Sequence, residues 1–141
     1  MCFWVCWWCL NLSYIVRRNN SIRGDFMCNE MDNGRIYIIT RHQSTVHWIL
    51  AKLNGKGLDR DVFVTGHLSN EMMLRMRKGD IVYGILPIHL IRRLLRKGVE
   101  YFHVVLPHVP YELRGKELTL KQVKEFGGQI WKIDDIKCFK V

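Results

Sequence analysis

Hydrophobic and polar positions follow two different periods between residues 35 and 106. Short continuous runs of β-branched and aromatic residues occupy 35–40, 61–65, 80–86 and 101–106, as in strands that are buried on both faces. The segments between them repeat their apolar residues every three or four positions, as amphipathic helices do. These apolar stripes comprise Val46, Ile49, Leu50 and Leu53, then Met72, Met73 and Met76, and then Leu90, Ile91, Leu94 and Leu95. The strict alternation predicts a single α/β domain with a mostly parallel sheet and helices on both faces.

A longer irregular segment, 107–118, follows the fourth predicted strand and contains two prolines. Thr119 and Gln122 then have the spacing of a capping box, which predicts the start of a last helix. A pair of glycines ends that helix, and residues 129–141 are predicted to form one or two further strands. Long loops in compact domains are often functional, so the irregular segment is a candidate part of a binding site.

The first 30 residues have a different composition and open with "MCFWVCWWC". The spacing C-x3-C-x2-C suits an iron–sulfur cluster, but no barrel-sized domain follows to hold one. A membrane anchor is the second possibility, although the apolar run is shorter than the roughly 20 residues that span a bilayer. We favour a third interpretation, in which residues 1–30 are a leader outside the fold and residues 31–141 form the domain.

The composition narrows the class of partner. The chain of 141 residues has a net charge of +9, and the excess lies almost entirely after residue 30. A basic protein of this size favours an anionic partner such as a nucleotide or RNA. Four of the five cysteines lie in the leader, so a disulfide framework is not indicated and a reduced, cytoplasmic location is expected. Neither a membrane nor DNA is expected as a partner.

The carboxyl ends of the predicted strands are where a ligand is expected, because parallel α/β sheets bind ligands there. Thr40, Arg41 and His42 follow the first strand, and Ser44 lies in the first turn of the next helix. Free N–H groups at a helix N-terminus attract anions. We expect Arg41 and His42 to be catalytic: Arg41 holds a phosphate and stabilises the transition state, and His42 acts as a general acid or base. The two hydroxyls are expected to position the substrate. The alternative is a surface ion pair for Arg41 and a turn-capping role for His42.

The other strand ends supply further candidates for substrate binding, each with the alternative of a plain loop or helix start. They are Gly66 and His67 after the second strand, Pro87 and His89 after the third, and Arg114 and Gly115 in the long loop. Arg92, Arg93 and Arg96 lie opposite an apolar helix face, where a solvated surface is expected, with nonspecific RNA binding as the alternative.

Several classes of site have no support in the sequence. Neither the dinucleotide fingerprint G-x-G-x-x-G nor the phosphate loop G-x-x-x-x-G-K-[ST] occurs, and no cysteines or histidines pair at zinc spacing. Carboxylates are scarce at the predicted strand ends, which argues against magnesium-dependent phosphoryl transfer. We therefore expect neither a metal nor a cofactor.

Three segments, "YIITRH", "GDIVYGILPIHL" and "YFHVVLPHVPYELRGKEL", resemble the small CRISPR-associated proteins of the Csx type-sixteen family. The resemblance covers roughly residues 35 to 141 and leaves out the leader. It implies a Rossmann-like fold in a protein of type III CRISPR antiviral defence. It also implies a homodimeric ring nuclease that linearises cyclic oligoadenylate, most simply cyclic tetra-adenylate.

The matching positions are Arg41 and His42, Pro87, and Arg114 with Gly115. Metal-independent cleavage by the ribose 2′-OH fits this set, because arginines and helix N-termini neutralise phosphoryl charge. A module that binds and sequesters the same cyclic nucleotide without cleaving it is the alternative.

Overall fold

The computed structural model describes residues 14–16, 34–53 and 60–141, and these form one sheet flanked by α-helices. The strands are β1 (Tyr14–Val16), β2 (Ile36–Ile39), β3 (Val62–Thr65), β4 (Ile81–Gly84), β5 (Glu100–Val105) and β6 (Gln129–Ile133). The helices are α1 (Gln43–Leu53), α2 (Asn70–Arg75), α3 (Ile88–Arg96) and α4 (Leu120–Glu125), and a 3-10 turn covers Tyr111–Leu113.

The order of the strands across the sheet is β1-β3-β2-β4-β5-β6. The four central strands are parallel, whereas β1 runs antiparallel to β3 and β6 antiparallel to β5 at the two edges. This arrangement confirms the predicted mostly parallel sheet. Because the chain passes from β2 to β3 on one side and returns to β4 on the other, the direction of winding reverses at β2. A crevice is expected at the carboxyl ends of β2 and β4, where doubly wound sheets bind ligands.

Helices cover both faces of the sheet, as the alternating pattern predicts. On the first face, α1 and α4 pack on one buried cluster, and on the second face α2 and α3 pack on another. Burial of each apolar stripe supplies the main stabilisation of these short helices. The buried side chains are Val46, Trp48, Ile49, Leu53 and Val123 on the first face, and Met73, Met76, Ile91 and Leu94 on the second.

The backbones of β2 and β4 are in close contact at the carboxyl end of β4. Gly84 pairs with Ile39 of β2, and a β-carbon on Gly84 would lie 2.2 Å from the Ile39 carbonyl oxygen. Only glycine fits at this position. The β2 and β4 chains therefore approach closely just below the turns that follow them.

The predicted leader falls largely outside the described residues. Tyr14–Val16 are the described part of it, and they pair as the edge strand β1 with Val62–Val64 of β3. At the other end of the chain, residues 129–141 contribute the single strand β6, and the residues after Ile133 have no regular secondary structure. In the described ranges, no helix has both the length and the apolar character needed to cross a membrane.

Candidate functional site

A cavity of about 300 Å³ opens at the carboxyl edge of the sheet, beside the start of α1. Its walls come from the α1 N-terminus, the turn after β4, the end of β5 and the long loop that precedes α4. The lining residues are His42, Thr45, Ile85, Leu106, Val109, Leu113, Arg114, Gly115, Lys116 and Leu118. The cavity lies at the strand ends, where the sequence predicts a ligand site.

Three of the predicted site residues meet in this cavity, namely His42, Arg114 and Gly115. Gly115 adopts φ +79°, a left-handed conformation that favours glycine, and lets the loop turn there. The Arg114 Nε–H points toward the carbonyl oxygen of Val109 at 3.5 Å, which folds the exposed guanidinium back across the loop. The loop thereby brings a cation from 72 positions away along the chain to the same cavity as His42.

Glu117, at the end of the loop, contacts the start of α1. Its Oε2 lies 2.8 Å from His42 Nδ1, and its Oε1 accepts the Ser44 backbone N–H at 3.3 Å and the Ser44 hydroxyl at 3.2 Å. Burial opposes ionisation of this carboxyl, but the hydrogen bonds from His42 and Ser44 outweigh it, so the pKa of Glu117 lies below its usual value. A carboxylate thus occupies the N-terminus of α1.

This contact changes the expected roles of two hydroxyls. Ser44 is buried and bonded to Glu117, so its N–H and hydroxyl already have a partner at the place where a phosphate is expected. The Thr40 hydroxyl accepts the His42 N–H at 3.3 Å. Because α1 begins at Gln43, Thr40 is not its N-cap, and the capping interaction comes from Glu117 instead. Glu117 is thus a carboxylate at an edge where the sequence indicates that carboxylates are scarce.

Arg41 lies on the neighbouring side of the β2 carboxyl end. A β-carbon on Gly66 would be 3.8 Å from Arg41 Cγ, so the Arg41 stem lies over this glycine at the end of β3. The exposed His67 follows, and its carbonyl accepts the Thr65 hydroxyl at 3.1 Å. These groups form a second, exposed cluster next to the cavity.

Pro87 and His89 lie beyond the β4 end and are also exposed. Pro87 is the residue before α3, and its carbonyl accepts the first backbone hydrogen bonds of that helix. The described residues that line the cavity do not include Pro87 or His89. They also do not include Arg41, Gly66 or His67. The catalytic role of Arg41 and the substrate-binding roles of the other four residues stay predictions.

A buried tyrosine holds the turn after β4. The Tyr101 hydroxyl donates to the Gly84 carbonyl at 2.8 Å and accepts the Leu86 N–H at 3.1 Å. Because its one proton goes to that carbonyl, the contact with His103 Nδ1 at 3.0 Å requires the imidazole to donate. Burial raises the pKa of Tyr101 to about 12, and burial lowers the pKa of His103. This network positions Ile85, which lines the cavity between Gly84 and Leu86.

Three contributors to the site were not predicted as such, namely Glu117, Lys116 and Tyr101. Glu117 and Lys116 lie in the same short segment as Arg114, so their closeness in sequence to a candidate cation is the one indication available. For Tyr101 the sequence indicates a strand residue and nothing about its hydroxyl. Its partners depend on which strands are neighbours.

The arrangement combines charge with an apolar wall. His42, Arg114 and Lys116 present an imidazole, a guanidinium and an ammonium group, while aliphatic side chains form most of the remaining lining. Such a cavity suits an anionic group attached to a flat or apolar body, as in a nucleotide. In the described ranges, no three His, Cys, Asp or Glu side chains group as a metal site would require.

Comparison with known proteins supplies the family. Among curated proteins and solved structures, no significant match to the chain was found. A family model described as "Putative CRISPR-associated protein (Cas_VVA1548)" matches residues 37–136. This range runs from β2 through β6, and it contains all the residues that line the cavity. Because the match covers well over half of the chain, the protein belongs to this CRISPR-associated family.

Proposed function

We propose that the protein is a ring nuclease that linearises cyclic oligoadenylate, preferentially cyclic tetra-adenylate, and so ends type III CRISPR signalling. The proposal joins the CRISPR-associated family to the resemblance with the Csx type-sixteen proteins. The observation that carries it is the meeting of His42, Arg114 and Lys116 in one cavity at the carboxyl edge of the sheet. Metal-independent cleavage of RNA can use such groups, an imidazole to transfer a proton and cations to neutralise phosphoryl charge.

His42 acts as the base in this mechanism. Its Nδ1 is engaged by Glu117, which leaves Nε2 to take the proton of a ribose 2′-OH. The 2′-oxygen forms a bond to the adjacent phosphorus, and the bond from phosphorus to the 5′-oxygen breaks. The leaving 5′-oxygen takes a proton from Lys116 or from water, which gives a 2′,3′-cyclic phosphate and a 5′-hydroxyl.

Arg114 neutralises the charge that develops on the phosphoryl oxygens during this step. A guanidinium can donate two parallel hydrogen bonds to a phosphate, and it acts most strongly where water is excluded. The exposed Arg41, over Gly66 at the adjacent strand end, binds a neighbouring phosphate of the ring. The apolar wall provided by Ile85, Leu106 and Leu113 receives an adenine base.

The size of the cavity supports a homodimer around the ring. A volume of about 300 Å³ is at the lower end for ligand pockets and holds one nucleotide rather than four. The rest of a cyclic tetranucleotide must extend beyond this cavity. The exposed apolar side chain of Ile88 lies at the same edge and gives a second copy of the chain a surface to pack against.

Incubation of the full chain with cyclic tetra-adenylate in excess chelator, followed by mass spectrometry, tests the activity. We expect linear products, a loss of about a hundredfold or more for His42→Ala, and about tenfold or more for Arg114→Ala. His47→Ala is the matched control, because His47 is exposed on the same helix and lies outside the cavity. Intact rings under all conditions, or equal loss in the control, would contradict the proposal.

The same cavity would also serve a module that sequesters the cyclic nucleotide. Tight binding without any product, unchanged by His42→Ala, is the outcome that supports this alternative. Nonspecific RNA binding through Arg92, Arg93 and Arg96 predicts instead an affinity that falls steeply with salt for any RNA, without preference for rings. A titration with linear and cyclic tetra-adenylate at two salt concentrations separates these outcomes.

A further inference from the structure

The contact between Glu117 and His42 determines which imidazole nitrogen carries a proton. A carboxylate oxygen only accepts hydrogen bonds, and Oε2 lies 2.8 Å from Nδ1. Nδ1 must therefore be the protonated nitrogen in the neutral ring, and Nε2 must hold the free lone pair. Histidine side chains in water prefer the opposite tautomer, so the pair imposes the less common form on His42.

Glu117 is itself fixed from three directions. Both of its oxygens are engaged, since Oε1 accepts the N–H and the hydroxyl of Ser44 while Oε2 accepts from His42. The next residue, Leu118, is buried, and Thr119 forms the capping box of α4 with Gln122. The backbone on the carboxyl side of Glu117 is thus anchored in the core, so the carboxylate holds a constant position.

Of the two partners, His42 reaches the ligand cavity and Glu117 does not line it. A contribution of Glu117 to the reaction therefore has to pass through the imidazole, by orienting the ring and by stabilising the imidazolium that forms when Nε2 takes a proton. The hydrogen bonds from Ser44 keep the carboxylate ionised for this purpose. The same logic applies where a carboxylate orients the histidine of a hydrolytic triad.

We infer that Glu117 is a positioning residue for catalysis, which holds the Nδ1–H tautomer of His42 and presents Nε2 to the substrate in the cavity. This inference rests on the proposed function for its catalytic part. The tautomer of His42 can be established without any activity.

Nitrogen-15 NMR of the imidazole in the full chain gives the direct test. In the wild type at a pH where His42 is neutral, we expect a protonated Nδ1 and an unprotonated Nε2. In Glu117→Ala the ring should adopt mainly the Nε2–H form. Glu112→Gln is the control, because Glu112 is an exposed carboxylate in the same loop. An Nε2–H ring in the wild type, or an unchanged ring in Glu117→Ala, would overturn the inference.

Kinetics with cyclic tetra-adenylate complete the test. Glu117→Ala should lower the turnover number at least about tenfold while the KM changes by less than about threefold, because the lost interaction acts in the transition state. Glu117→Gln retains one accepting oxygen but no charge, so it should recover part of that loss. Full turnover in Glu117→Ala with a reversed tautomer would overturn the positioning role. If the wild type has the expected tautomer but cleaves no cyclic oligoadenylate, the nuclease proposal is contradicted and the tautomer assignment still holds.

Discussion

Two carboxylates cap backbone N–H groups at opposite ends of the parallel sheet, and they do so in different surroundings. At the amino end, Asp80 is buried and accepts the N–H groups of Arg35 and Arg77, both at 2.8 Å. At the carboxyl end, Glu117 has a side chain that is 54% exposed, and it shares its oxygens between Ser44 and His42. Asp80 is satisfied by the backbone alone, so its role is structural. Glu117 contacts a titratable side chain in a cavity, which is the arrangement a reaction can use.

The largest effect that this contrast predicts is on Asp80. In Asp80→Ala, two charge-assisted hydrogen bonds disappear, and the N–H groups of Arg35, just before β2, and Arg77, in the turn before β4, lose their partner. We expect the free energy of unfolding to fall by about 3 kcal/mol or more. Urea denaturation measures this loss. The unfolding free energy of Asp80→Asn, which keeps one accepting oxygen, should lie between those of the wild type and Asp80→Ala. A loss below about 1 kcal/mol would show that Asp80 and Glu117 do not differ in the way proposed.

The carboxyl edge has a buried anchor of its own in Tyr101, which supplies the second prediction. Tyr101→Phe should lower the free energy of unfolding by about 2 kcal/mol at neutral pH, because the Leu86 N–H loses its acceptor in the core. The substitution removes the hydrogen bonds that hold the turn containing Ile85. Urea denaturation at pH 7 measures it, and a neutral substitution would contradict the network.

The same tyrosine makes stability depend on high pH. Its pKa in the folded state, about 12, lies above the ordinary tyrosine value of 10.0, so the folded state favours the protonated form. The resulting stabilisation is complete below pH 10 and is lost as the pH rises through 12. This rise in the pKa of Tyr101 corresponds to about 3 kcal/mol of unfolding free energy. The difference in unfolding free energy between the wild type and Tyr101→Phe should therefore shrink over this range, and a constant difference would contradict it.

Local sequence patterns predicted the features of the fold that depend on residues close together in the chain. The stripe of Val46, Ile49 and Leu53 is buried as its period indicates, and the Thr119–Gln122 capping box starts α4. The parallel direction of the central strands follows from the alternation of strands and helices along the chain. Each of these features is determined within about ten residues of chain, where periodicity and capping chemistry operate.

The contacts that complete the candidate site are of another kind. His42 and Glu117 are 75 positions apart, and their meeting depends on the path of the loop between β5 and α4. The N-terminus of α1 is capped by the carboxylate of Glu117, which reaches it only through the tertiary fold. The hydroxyl of Tyr101 likewise finds its partners because β5 lies beside β4. No local pattern contains this information.

A smaller effect is expected at the start of α4, next to Glu117. The Thr119 hydroxyl accepts the Gln122 N–H at 3.2 Å, and its own N–H donates to the Gln122 side chain at 2.8 Å. Thr119→Ala should lower the free energy of unfolding by about 1 kcal/mol. Ser69→Ala removes the equivalent cap of α2, where the hydroxyl accepts the Met72 N–H, and should cost a similar amount. An effect at Ser69 alone would mean that the α4 cap adds nothing.

The smallest effect on stability is expected at Glu117, and its pH dependence identifies the carboxylate as the cause. Because the pKa of Glu117 is lower in the folded state, its stabilisation is present above the ordinary value of 4.5 and is lost as the pH falls through the folded pKa. Exposure limits it to about 1 kcal/mol or less. Urea denaturation of the wild type and Glu117→Ala should show a small difference in unfolding free energy at about pH 5.5 that decreases as the pH is lowered below 4.5. A difference that grows on acidification would contradict the low pKa. A cost as large as that of Asp80→Ala would make Glu117 a structural residue and remove the contrast between the two ends of the sheet.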